Sequence, residues 1–321
     1  MITTSTNTAF IEATQYSQFI LRNLHDGLLP TNLYRNVSDF GSGTTLNIKT
    51  IGEVTLQDIT EDESFTYNPI ESGNVQLTIT DYPGDAWYIT DEMRQDGAQI
   101  EALNSARSES GKRALQEHIE TRFLATLNAG QTASDNNSVN SFSHRHRASG
   151  TNQTLVEDDM IEMRLAFDKA NVPVGGRVAV VDPVVAATLA KQSLLVNNLD
   201  AVGEGFSLAK DGFHRDHQFV TMLHGWQVWT SNFLPTATAE TLTLFDGSSS
   251  ASTSGICNIF MSTADDNTKP GMLAWRALPS VETQRDVDKR RDKFTMAARF
   301  GLGVQRIDTL GIVISSATAT E

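Results

Sequence analysis

The sequence has one cysteine, Cys257, in 321 residues. That excludes an internal disulfide and any cysteine-rich zinc site, and it fits folding in a reducing compartment with the thiol as a small core filler. Positive charge is also scarce: 25 Lys and Arg face 39 Asp and Glu, a formal charge of −14. Such a balance opposes sequence-independent binding to phosphate backbones and to anionic lipid surfaces. No run of about eighteen apolar residues occurs, so no membrane span is expected. Met1 to Asn7 is polar and carries neither a basic segment nor an apolar stretch of secretory length.

Catalytic signatures are missing as well. There is no Gly-x-x-x-x-Gly-Lys-Ser/Thr loop, no His-Glu-x-x-His and no Gly-x-Ser-x-Gly elbow. Gly301-Leu302-Gly303 begins a dinucleotide-like loop, but Arg306 stands where the third glycine belongs and no helix follows, so it reads as a strand bend. Carboxylates are abundant without any pair that stands out, which leaves acid–base catalysis without named residues. No cofactor and no catalytic residue are expected.

What is present is a globular composition, 39% hydrophobic and 20% charged, in a chain long enough for roughly two domains of ~150 residues. Residues 1–45 carry scattered apolar groups broken by Pro30 and ended by Gly41-Ser42-Gly43. They read as a short helix or an extended arm that needs a surface to lie on. From Leu46 the pattern alternates through Ile48, Val54 and Leu56, and resumes at Val75, Leu77 and Ile79, closing with Trp87, Tyr88 and Ile89. That is a long two-stranded hairpin over 46–89, with the acidic cluster Glu61, Asp62 and Glu63 between its arms. Asp91 and Glu92 open a helical stretch to about Ala129. Gly97 and Gly111 weaken it, so a bent helix or two helices must be allowed, and Lys112 to Asn128 alone would run about 25 Å.

A polar linker over 131–153 marks a boundary and holds His144-Arg145-His146-Arg147, read as a solvated loop. Thr154 and Glu157 match a capping box for a helix with Met160, Met163, Phe167 and Ala170 as its apolar stripe. Arg177 to Val181 is a buried strand, and Asp182-Pro183 caps the next helix. Phe219 to Leu223 and Trp226 to Asn232 form a hairpin around His224-Gly225. Strands follow at Thr241 to Phe245, Ile256 to Ser262 and Met272 to Leu278. The charged run Arg285 to Lys293 opens a last segment that alternates as Phe294, Met296, Ala298 and Phe300 and ends in Leu310 to Ile314. His214, His217 and His224 supply three imidazoles of metal-compatible type. Asp211 and Gly212 place the first two in a polar loop, which is the preferred reading over a metal site.

The order arm, long hairpin, spine helix, mixed α/β region and returning strands resembles the major capsid proteins of tailed phages, the Hong Kong 97-like fold. The likeness is carried by Ala86-Trp87-Tyr88-Ile89-Thr90-Asp91-Glu92, by Val172 to Pro183 with its Gly175-Gly176-Arg177 turn, and by Ala297 to Arg306. The resemblance implies an α+β chain with an N-terminal arm at 1–45 and an extended β-hairpin loop at 46–89. A peripheral domain with spine helix and linker follows at 90–153, a mixed α/β axial domain at 154–279, and peripheral return strands at 280–321. It implies a structural protein, not an enzyme, whose identical copies form hexamers and pentamers of an icosahedral shell around packaged double-stranded DNA, held without sequence-specific contacts.

The implied place is the virion capsid, assembled in the host bacterial cytoplasm, with a separate scaffolding protein or an already processed N-terminus, a portal, and in some relatives a decoration protein. Lys49, the sole hairpin lysine, is too little to argue the covalent cross-links some relatives make. At subunit contacts Glu61, Asp62 and Glu63 are expected to pair with Arg285, Lys289, Arg290 or Arg291 of a neighbour, each pair contributing about 0.2–1 kcal/mol. The rival readings are an encapsulin-like cargo shell of the same fold, a metal-dependent hydrolase using His214, His217 and His224, and a tail or decoration protein.

Overall fold

The computed structural model describes residues 29–37, 43–51, 56–58, 61, 72–97, 100–131, 138–191 and 219–319. Most of the expected arm lies outside them, as do Asp62, Glu63, His214 and His217. In chain order the first strands are β1 (Arg35–Val37), β2 (Thr45–Ile51), β3 (Ser72–Thr78) and β4 (Gly84–Thr90). Helices α1 (Asp91–Asp96) and α2 (Ile100–Gly130) follow. The short strands β5 (Ser138–Val139), β6 (Phe142–Ser143) and β7 (Arg145–Arg147) lead into α3 (Glu157–Lys169), β8 (Arg177–Val181) and α4 (Pro183–Lys191). Among the described residues the elements that follow are all strands: β9 (Phe219–Leu223), β10 (Trp226–Thr230), β11 (Thr236–Leu242), β12 (Ala251–Ser262), β13 (Gly271–Asp286), β14 (Arg291–Val304) and β15 (Leu310–Ser315).

Four strands form one sheet in the order β1-β13-β14-β4. Seven form a second, β7-β15-β12-β8-β10-β9, with β11 added to β12. The second sheet owes its core to β8, Arg-Val-Ala-Val-Val, buried at every position and paired parallel to β10 and antiparallel to β12. A strand buried on both faces reads as a continuous apolar run, which is why it was visible in sequence. Its last residue hands over to Asp182, whose carboxylate accepts from the Val184 N–H at 2.9 Å and so caps α4. On one face Met160, Met163 and Phe167 of α3 pack with Trp226 and Phe260. On the other, Phe123, Leu124 and Leu127 of α2 meet Val178, Val180, Ile259 and Met261.

Of the two helices into which the stretch divides, α2 is the longer. Its 31 residues span about 46 Å, and Gly111 is carried inside it while the break falls at Gly97, the C-cap of α1. Leu115, Phe123 and Leu127 are buried as the periodicity predicts, but Leu103 is half exposed. The near half of the helix lies over β4, where Asn104 accepts from Trp87 Nε1 at 3.0 Å and Arg107 pairs with Asp85 at 2.5 Å.

Other boundaries shift for physical reasons. Trp87, Tyr88 and Ile89 belong to β4, which pairs with β14 in the four-stranded sheet and not with the hairpin. The hairpin proper is β2 on β3, in register from Thr45 with Thr78 to Ile51 with Ser72. Thr154 does not cap α3: the N-cap is Val156, whose side chain has no acceptor, and only the returning half of a box is made, the Val156 N–H donating to Asp159, the third residue of α3, at 2.9 Å. Residues 310–315, grouped on sequence with the return strands, lie in the seven-stranded sheet beside β12. Gly301-Leu302-Gly303 is the straight interior of β14, not a bend. A Cβ on Gly301 would sit 2.5 Å from the Thr78 carbonyl oxygen, so glycine lets the root of the hairpin cross the sheet at close range.

Candidate functional site

No cleft gathers catalytic groups among the described residues; the features that stand out are on the surface. The first is the free edge of β13. Among the described residues, strand β14 pairs along one side, with irregular register between Trp275 and Ser280, and β1 covers the other only from Met272 to Ala274. From Arg276 to Arg285 every residue is exposed, including Leu278 at 69% and Val281 at 50%. An open, partly apolar edge presents unpaired backbone donors and acceptors, a template for another chain. Pro279 lies in this stretch, and proline in a strand is confined to edges, so this was a legible signal that the sequence reading passed over.

The second feature is the tip of the β13–β14 hairpin. Arg285 donates to both carboxylate oxygens of Asp91 at 2.7 and 2.6 Å and to Asp292 at 3.0 Å, and Arg94 also binds Asp292. The hydrogen bond from Arg285 holds the Asp91 carboxyl below its ordinary range. Asp286 accepts from Lys293 at 2.8 Å and Arg291 at 3.2 Å. The Lys293 contact leads in pulling its carboxyl down to about 2. Two of the four cations expected to face a neighbour, Arg285 and Arg291, are therefore engaged inside their own subunit. Lys289 and Arg290 sit exposed at the turn, and Glu61 is exposed elsewhere; no ion pair joins them among the described residues.

The third is the hairpin itself. Leu46, Ile48, Val75 and Leu77 line one face and pack at its root on Met272 and Ala274, while Lys49, Asn47, Asn74 and Gln76 face outward. The root is thus supported by its own subunit.

Buried polar groups stiffen the body between these surfaces. His144, Arg145 and His146, read as a solvated loop, are buried, the last two in the edge strand β7 against β15 and His144 just before it. Their alternation of like residue types carries no apolar signal, so the sequence did not reveal it. Arg145 grips Glu240 through three hydrogen bonds of 2.7 to 3.0 Å and Asn128 of α2 at 2.9 Å. Arg177 is buried against Phe167 and Trp226 and donates to the Val172 and Pro173 carbonyls and to Asp168. Burial pushes the Cys257 thiol up to about 11, in keeping with a core filler. His224 pairs with Glu157 at the start of α3; the other two imidazoles expected beside it lie outside the described residues. Near β7, burial raises Asp159 to about 6 and Glu162 to about 7 and lowers His146 to about 4.

No described helix is long and apolar enough to cross a membrane. A family model described as phage capsid protein matches residues 74–315, three quarters of the chain, from β3 to the end of β15. The chain belongs to the phage capsid protein family. No curated protein sequence matches it, whereas solved structures do. The asymmetric unit of the mature capsid of bacteriophage PhiM1 aligns at TM-score 0.70 and 13% identity, covering 96% of this capsid protein and 93% of that chain. The capsid of Cyanophage P-SCSP1u gives 0.67 at 14%, covering 96% and 94%. A structure from Mycobacterium phage Che8 gives 0.63 at 17%, covering 94% and 97%. At such identities the likeness establishes the α+β fold, which this capsid protein shares along nearly its whole length.

Proposed function

We propose that this protein is the major capsid protein of a tailed phage and that identical copies build hexamers and pentamers of an icosahedral shell. The shell encloses double-stranded DNA. The observation that carries the reading is the ten-residue open edge of β13, apolar at Leu278 and Val281, in a chain of the capsid family. An edge of that length invites aggregation in a monomer and is useful where a neighbouring copy covers it. The net charge of −14 favours a wall that confines phosphate without gripping it. Arm, hairpin loop, peripheral and axial domains divide the chain as the Hong Kong 97-like resemblance implies, and assembly runs in the bacterial cytoplasm with a scaffolding protein and portal. The role is structural and non-enzymatic.

At the contacts, Glu61, Asp62 and Glu63 meet Lys289 and Arg290 of an adjacent copy, Arg285 and Arg291 being held at home. Charge reversal at 61–63 is expected to disturb assembly, and reversal at Lys289 and Arg290 to restore it; undisturbed assembly by the first variant removes the contact. The reading as a whole is tested by negative-stain electron microscopy of the expressed protein with and without its candidate scaffold. Uniform polyhedra are expected. Tubes or small rings point instead to a tail protein, and particles that hold protein cargo and no DNA in infected cells point to an encapsulin-like shell.

A further inference from the structure

The centre of β7 and the first turns of α3 bring three potential metal ligands together. One ring nitrogen of His146 and one carboxylate oxygen each of Asp159 and Glu162 lie within 4.8 Å of one another. Asp159 and Glu162 are three apart on α3 and so share a face of the helix. His146 has no exposed surface; the Ser143 backbone carbonyl is close enough to hold the proton of one ring nitrogen, and the other has no hydrogen-bond partner. A buried imidazole with an idle nitrogen is costly unless something is meant to fill the space, because a lost hydrogen bond is unrecovered desolvation. Phe245 packs edge-on against the ring at 5.4 Å and holds its plane. Asp159 is fixed from behind: its two oxygens accept from the Ser149 N–H at 3.0 Å and the Val156 N–H at 2.9 Å, and the Ser149 hydroxyl also donates to the carboxylate, which leaves one of its four lone-pair sites for a cation.

The local charge is unbalanced in the same direction. The charged groups acting on Glu162 are the carboxylates of Asp159, Asp158 and Asp246, all negative. Two carboxylates at short range in a buried setting need a proton or a cation between them. A divalent ion would neutralise both while using the idle imidazole nitrogen, which a shared proton would leave unused. We propose that His146, Asp159 and Glu162 form a structural binding site for a divalent cation of the zinc class. The imidazole donor favours zinc over magnesium or calcium, which prefer oxygen alone. Ligand bonds of about 2.0–2.2 Å require donors roughly 3.3 Å apart, so the three groups close inward on binding, with the half-buried Glu162 moving most. Water completes the coordination on the Glu162 side. The ion would clamp α3 to the edge strand of the seven-stranded sheet, a different place from the His224 turn.

The test uses the full-length protein, stripped with a chelator and titrated with Zn²⁺ by calorimetry, with thermal unfolding followed in parallel. One zinc per chain and a raised Tm are expected. Glu162→Gln, at a half-exposed position that does not threaten folding, is expected to weaken binding by about 100-fold or more, beyond what the loss of an outer-shell partner costs. His146→Gln should do the same where it folds, and His224→Gln should bind zinc as the parent does. Absence of stoichiometric uptake by the parent overturns the site in favour of a shared proton. Undiminished uptake by Glu162→Gln, or loss of uptake on His224→Gln alone, overturns it in favour of another location.

Discussion

Glu240→Ala should destabilise the subunit far more than Arg145→Met, although both delete the same ion pair. The Arg145 side chain is 3% exposed and that of Glu240 25%. Removing the glutamate strands a guanidinium that keeps Asn128 and the Cys257 sulfur, both uncharged, as side-chain partners. Breaking a buried pair from one side costs about 3–5 kcal/mol, and the partial exposure of Glu240 places this case near the lower end. At roughly 2–4 °C per kcal/mol for a chain of this size, Glu240→Ala should lower Tm by about 6–12 °C. Arg145→Met keeps the apolar stem and leaves a carboxylate that can turn toward water, at a cost of about 1–2 kcal/mol. The double variant should resemble Arg145→Met, because the stranded charge is gone. Circular dichroism of the unassembled subunit through a thermal or urea transition reads all three. If Glu240→Ala costs under about 1 kcal/mol, or if the two losses simply add, the account of a desolvated pair is wrong.

Three further outcomes follow from the surfaces. Leu278→Lys with Val281→Lys should abolish closed particles in electron microscopy yet shift subunit Tm little, since both side chains are largely exposed; unfolding of the subunit instead would mean the edge belongs to the core. Gly301→Val should displace the root of the β2–β3 hairpin, because its Cβ would meet the Thr78 carbonyl and the Ile79 Cα, and limited proteolysis should then cut near 72–80 faster than in the parent. Asp286 titrates about 2 in the fold against about 3.9 in an unfolded chain. Its contribution is therefore complete above about pH 4 and is lost as pH falls toward 2; an NMR midpoint near 4 for its side chain would show that Lys293 and Arg291 do not hold it in solution.

The sequence by itself determined the elements whose signal is local. Val178 to Val181 announced a strand buried on both faces, Asp182-Pro183 a helix start, and Met296, Ala298 and Phe300 the inward face of a long strand, all of them as observed. The order of these pieces also carried the capsid resemblance. Only the tertiary structure decided where strands pair and which polar groups are inside. Trp87 to Ile89 alternate equally well for a hairpin or for a seat beside β14, because a period of two names a face but not a partner. His144 to Arg147 read as solvent-exposed because charged residues usually are; Glu240, 95 residues away, makes Arg145 affordable inside, and no local pattern encodes a partner at that distance. The same holds for the cluster of His146, Asp159 and Glu162. Its donors come from a strand and a helix that become neighbours only when the sheet closes around β15, since burial and long-range charge pairing are properties of the packed chain and not of any window of its sequence.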